Sequence, residues 1–197
     1  MRLKCLIIPL ICALFFYGCD KNTDDKQNNT QNILKQDQND TTNQIAEAVI
    51  EQDYTVPFLL NLQNEKFISM QKNEDGFKIE KNDKAILFSF FTTWCPPCKA
   101  EIPHLNEIQN MFKDNLIVVG VLLEEKSKAE IDDFIKKYDI QYEISNGESN
   151  FFFGKAIGGI NGVPYTILYD KNGKYISRYL GLAPREMLIS DISKAIL

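Results

Sequence analysis

One short stretch constrains this chain more than any other: Phe91-Thr92-Thr93-Trp94-Cys95-Pro96-Pro97-Cys98-Lys99-Ala100-Glu101-Ile102-Pro103. The apolar run from Ala85 to Phe91 leads into it and reads as a buried strand. That strand delivers a Trp-Cys-x-x-Cys turn, and a helix begins inside the turn. Two thiols separated by two residues can close a small disulfide ring. At a helix N-terminus the first thiol faces unpaired backbone N–H groups and the positive end of the dipole, and both favour thiolate. Thiolate is the attacking species in disulfide exchange, so this geometry makes a redox switch. Half of a zinc site is the competing use of such a pair. Zinc wants four ligands, commonly Cys or His. The chain has one histidine, His104, and no other available cysteine, so no metal is expected.

Together with Gly162-Val163-Pro164-Tyr165-Thr166, this stretch resembles the thioredoxin superfamily. Within it the match is to the membrane-anchored TlpA/ResA/DsbE-like thiol-disulfide oxidoreductases. The resemblance covers roughly Asp53 to Leu197. It implies an α/β, thioredoxin-like fold: a mixed central sheet with helices on both faces, an N-terminal β-hairpin, and an inserted strand and helix.

The amino terminus carries its own signal. Arg2 and Lys4 precede an apolar run from Leu6 to Phe16, followed by Tyr17-Gly18-Cys19. A charged region, a short apolar region and a small residue before a cleavage point describe a signal peptide over residues 1–18. The run is too short for a permanent membrane-spanning helix. Gly18-Cys19 looks like a lipobox, with Cys19 lipidated and becoming the mature N-terminus. An uncleaved anchor or an ordinary signal is the alternative. Asp20 resembles the signal that keeps some lipoproteins on the inner membrane. The expected location is the bacterial cell envelope, lipid-anchored and facing the periplasm or the outside.

The five cysteines are then accounted for. Cys5 and Cys12 leave with the signal and Cys19 takes lipid. Cys95 and Cys98 remain, free to cycle, in a compartment where disulfides persist. Residues 19–44 are rich in Asn, Gln, Asp, Lys and Thr and read as a disordered tether. A tether of about 25 residues spans on the order of 25–30 Å. Residues 45–197 suit one domain with one core. Loss of Arg2 and Lys4 takes the net charge from −5 to −7, and no basic patch reverses this, so nucleic acid is not an expected partner.

Along the domain, Ile45–Glu51 reads as a short helix. Tyr54–Leu62 and Phe67–Gln71 read as a hairpin around Asn64-Glu65, with a short strand at Phe77–Ile79. After the redox motif, Pro97–Phe112 reads as a helix with Ile102, Leu105, Ile108, Gln109 and Phe112 on one face and a kink at Pro103. Leu116–Leu123 is a continuous apolar strand, of the kind buried on both faces. Ser127 and Glu130 form a capping box that starts a helix running to Tyr138. A strand at Tyr142–Ser145 and a Phe-rich helix over Asn150–Ile157 follow. Tyr165–Tyr169 and Lys174–Leu180 make a second hairpin, and a helix starting near Pro184 closes the domain.

Cys95, near the open start of the turn, is the expected nucleophile, and Cys98 is the resolving thiol. The Cys95–Cys98 pair is the redox centre and no other cofactor is expected. Pro96 and Pro97 have no N–H, so a Cys95 thiolate loses two donors, its pKa rises, and the couple becomes more reducing. The plainer alternative is that the prolines only shape the turn. The resemblance implies that Glu101 tunes the thiols and moves protons; a solvated helix carboxylate is the alternative. It also places Ser89 where thioredoxin has a buried Asp. Trp94 is expected to pack beside the disulfide and cover it, with an ordinary core tryptophan as the alternative. Pro164 resembles the family's cis-proline, which exposes backbone groups of Val163 to substrate. Tyr165 stands where many relatives have a small residue. His104 reads as structural.

The leading functional expectation is a reductase of disulfides in exported proteins. By resemblance, apocytochrome c is a candidate substrate and a DsbD- or CcdA-like membrane protein the electron donor. An oxidant or isomerase is the rival within the class. A copper-binding thioredoxin-like chaperone is the rival outside it, since copper(I) favours thiolates. A peroxidase would require a peroxidatic cysteine in another motif.

Overall fold

The computed structural model describes residues 52–197. The signal at 1–18, Cys19, the tether at 19–44 and the helix at 45–51 lie outside the described residues.

Three short strands open the fold: β1 (Phe58–Asn61), β2 (Phe67–Lys72) and β3 (Phe77–Ile79). They form an antiparallel sheet in the order β1-β2-β3, in which the expected strand Phe77–Ile79 pairs with the second strand of the expected hairpin. β1 begins later than Tyr54. Pro57 has no N–H to offer a ladder. Asp53 accepts from both the backbone N–H and the hydroxyl of Thr55, which fixes a turn there.

Next come β4 (Ala85–Phe91), α1 (Pro96–Met111), β5 (Leu116–Leu122), α2 (Lys128–Tyr138), β6 (Glu143–Ser145), α3 (Glu148–Ala156), β7 (Tyr165–Tyr169), β8 (Tyr175–Leu180) and α4 (Arg185–Ala195). Their five strands form one mixed sheet in the order β6-β5-β4-β7-β8. β4, β5 and β6 run parallel, whereas β7 is antiparallel to β4 and β8 to β7. β6 and α3 are the insertion between α2 and the final hairpin. Every residue of β4 is buried, as a central strand covered on both faces requires.

The two faces have separate cores. On one, Leu87, Leu105, Ile108, Leu168, Leu188 and Ile192 join α1 and α4 to the sheet. Phe91, Ile102, Leu122, Ile131 and Ile144 extend that face towards α2. On the other, α3 and the small sheet pack through aromatic side chains. Phe153 is their hub: its ring centroid lies 5.3 Å from Phe77, 4.8 Å from Phe88 and 5.1 Å from Phe90. Burying such a side chain contributes about 1.5–3 kcal/mol.

Local chemistry fixes the ends. The Ser127 side chain caps α2 while Glu130 returns to the Ser127 N–H, completing the capping box. α1 continues without a break through Pro103. Gln109, on its inner side, bonds the Leu116 carbonyl and the Val118 N–H and so ties α1 to β5. Gly173 sits at φ 77° in the β7–β8 turn, and its carbonyl accepts from Phe77 N–H. A Cβ there would fall 1.7 Å from the Phe77 carbonyl oxygen, so only glycine fits.

Candidate active site

Parallel β4 and β5 end side by side, and the turn after β4 carries the motif. Thr93 is pinned there: its N–H and hydroxyl both donate to the Glu124 carboxylate, at 2.7 and 2.8 Å. Glu124 follows the end of β5 and was not singled out in the sequence. A carboxylate just past a strand that ends beside the redox strand is the signal that could have found it.

Cys95 is the N-cap of α1 and is joined to Cys98, with their Cα atoms 5.3 Å apart. Pro96 occupies the first helical position, where a missing N–H costs nothing. The two prolines remove two donors, but one remains: Cys98 N–H points at Cys95 Sγ from 3.2 Å. Sequence reasoning placed Cys95 at the open start of the turn. In the disulfide form it is only 3% exposed, and Cys98 4%. The turn folds inward, and the outward side chains are Pro96, Pro97 and Trp94. Trp94 is 69% exposed, so it is neither a core residue nor a closed cover over the disulfide.

The segment before β7 faces the disulfide. Val163–Pro164 is a cis peptide bond, and the Val163 carbonyl oxygen lies 3.7 Å from Cys95 Sγ. Leu180, at the end of β8, stands beside Gly162 and is 68% exposed. Trp94, Leu180 and Leu182 are exposed apolar side chains at this end of the sheet.

Behind the disulfide, Glu101 is 1% exposed, which overturns the solvated-carboxylate alternative. Its oxygens accept from the Ser89 hydroxyl at 3.3 Å and from Ala183 N–H at 3.3 Å. Burial pushes its carboxyl up from the usual glutamate value of 4.5, and those two donors pull it partly back. His104 is one turn further along α1, with Nδ1 buried and without a partner among the described residues. Tyr165, after the cis-proline, is buried at 8% exposure. The fold thus brings Cys95, Cys98, Pro96, Pro97, Trp94, Val163 and Pro164 to one end, with Glu101 beneath them. Cys19 lies outside the described residues.

Chemically, this is a disulfide at a helix N-terminus, an exposed apolar rim, a backbone carbonyl in contact with the first sulfur, and a buried acid one helical turn behind the second. Residues 60–191 match the AhpC/TSA family. The chain is 27% identical over 123 residues to the thiol-disulfide oxidoreductase ResA of a Bacillus cereus strain, covering 61% of this chain and 70% of that one. The crystal structure of StoA from Bacillus subtilis aligns with a TM-score of 0.55 at 24% identity, over 70% of this chain and 96% of that one. A DsbF homologue from Corynebacterium diphtheriae aligns with a TM-score of 0.56 at 23% identity, over 73% and 87%. These two structures share the thioredoxin-like fold.

Proposed function

The chain belongs to the AhpC/TSA family, and from that premise we propose that it is an extracytoplasmic thiol-disulfide oxidoreductase that reduces disulfides in exported proteins. The observation that carries this is the Cys95–Cys98 disulfide at the start of α1 in contact with Val163.

In the working direction the reduced protein acts first. The Cys95 thiolate attacks one sulfur of a substrate disulfide, and the other substrate sulfur leaves as thiolate and takes a proton. Cys98 loses its proton and attacks Cys95 Sγ. The second substrate sulfur leaves, is protonated, and the Cys95–Cys98 disulfide forms. Substrate gains two electrons and two protons: both electrons and the Cys98 proton come from the protein, and the second proton is the one Cys95 released to solvent on becoming thiolate. Glu101 is the buried acid placed to exchange a proton with Cys98, which precedes it by one turn of α1. An extended substrate segment pairs with the Val163 backbone and lies against Trp94. A membrane-embedded dithiol protein of the DsbD or CcdA kind restores the dithiol. A lipid on Cys19 holds the domain at the membrane, and apocytochrome c is one candidate substrate.

Direction rests on thiolate stability. Pro96 and Pro97 withhold two donors, and an ionised Glu101 would repel a nearby thiolate; both make the couple more reducing. The Cys98 N–H at Cys95 Sγ works against this and supports the oxidant reading. The test is covalent trapping. A Cys98→Ser chain cannot resolve the mixed disulfide, so envelope extracts should yield adducts on Cys95 that dithiothreitol releases. Adducts with exported cysteine-containing proteins support the proposal. Their absence, with Cys95 remaining free, contradicts it.

A further inference from the structure

Glu101 has a neighbour whose chemistry is unused. Ser89, which donates to Glu101, is the register partner of Thr166 across the antiparallel β4–β7 pair. Directly opposed residues on such a pair project to the same face, with Cβ atoms about 4.5–5.5 Å apart. That face is the one covered by α1 and α4, because Leu87 and Leu168, each two residues away, pack there with Leu105 and Leu188. Thr166 is fully buried, and its Oγ1 has no hydrogen-bond partner among the described residues. An unsatisfied buried hydroxyl is costly and calls for a reason.

We propose that Thr166 is a positioning residue for the proton on Glu101, acting through Ser89 as the far end of a chain of two hydroxyls. The hydroxyl opposite Thr166 across this strand pair is that of Ser89, which still has lone pairs to offer. A hydroxyl both donates and accepts, so the chain can run in either direction. With Glu101 ionised, Thr166 donates to Ser89 and Ser89 donates to the carboxylate. With Glu101 protonated, its O–H donates to Ser89 and Ser89 turns to Thr166. The ionised arrangement gains more, because hydrogen bonds to charge are the stronger kind. The chain therefore supports the carboxylate in a place where burial opposes it.

Among the described residues, other groups lie around Glu101. Cys98 lies one turn before it on α1 and His104 one turn after. Tyr142 approaches from the segment before β6, and its phenol is pushed up by burial and, less, by the Glu101 charge. The Ala183 N–H completes the set from the segment leading into α4. The proposal rests on the reading of Glu101 as the proton-exchanging acid.

The test is an infrared pH titration of the full chain in its disulfide form, where neither Cys95 nor Cys98 titrates. The Glu101 carboxyl band is the one lost in Glu101→Gln. In Thr166→Val, which keeps the shape and removes the hydroxyl, that band should persist to higher pH. At the wild-type midpoint the protonated-to-ionised ratio should rise about threefold to tenfold, the size of one ordinary hydrogen bond. Thr166→Ser should keep the wild-type titration, and Ser89→Ala should move it the same way as Thr166→Val. A Thr166→Val titration that superposes on wild type, or a Thr166→Ser chain shifted as far as Thr166→Val, overturns the proposal. If Glu101→Gln removes no band, the proton role of Glu101 fails as well, while the Cys95/Cys98 cycle stands untouched.

Discussion

The carbonyl oxygen of Val163 touches Cys95 Sγ at 3.7 Å, although 68 residues separate the two in sequence. The contact brings a main-chain group that can pair with a polypeptide against the sulfur that is to attack it. Around this point the protein exposes Trp94 and Leu180 and hides both sulfurs.

That arrangement separates recognition from chemistry. Trp94→Ala should leave stability within about 0.5 kcal/mol, as exposed substitutions do. It should slow reduction of a protein disulfide several-fold and leave reduction of a small disulfide such as oxidised glutathione unchanged. Parallel rate measurements on the two substrates decide the matter, and an equal loss on both would place Trp94 in the chemistry.

Glu101 makes the stability of the disulfide form depend on pH. Its folded value lies above the unfolded 4.5 because burial disfavours the charge. Below 4.5 both states hold the proton and the contribution is fully present. As pH rises through the folded value, the unfolded chain has already released its proton, so stability is lost. Denaturant melts across this window should therefore show a decline with pH, and Glu101→Gln should remove that component.

Phe153 joins α3 to both sheets through Phe77, Phe88 and Phe90. Phe153→Ala should cost about 3–5 kcal/mol in urea unfolding, because the surrounding rings cannot all collapse into the cavity. A loss under about 1 kcal/mol would mean the small sheet packs independently of α3.

The α2 cap is a local device confined to the Ser127–Glu130 segment. Ser127→Ala should cost about 1 kcal/mol of stability and leave the rate of disulfide reduction unchanged.

What could be read from the sequence was what depends on near neighbours. The buried strand Ala85–Phe91, the capping box of Ser127 and Glu130, and the hairpin of Tyr165–Tyr169 with the strand that follows it each declare themselves within a few residues. The proline at 164 was legible through its motif. The surroundings of Glu101 were not, because Ser89 lies 12 residues away and Ala183 lies 82 away. Only strand pairing and the docking of α4 bring them together. The burial of Cys95 was missed for a related reason: position at the start of a turn says nothing about which way the turn folds. β1 is shorter than its apolar pattern suggests because Pro57 and the Asp53–Thr55 turn hold the preceding residues out of the ladder.

The central claim is the direction of electron flow, and the reduction potential of the Cys95–Cys98 couple tests it most directly. Equilibration in glutathione or dithiothreitol buffers, read by thiol alkylation, gives the value. A potential near the thioredoxin figure of about −270 mV, or lower, is the predicted result. A potential near the DsbA figure of about −120 mV would contradict the account and make this protein an oxidant.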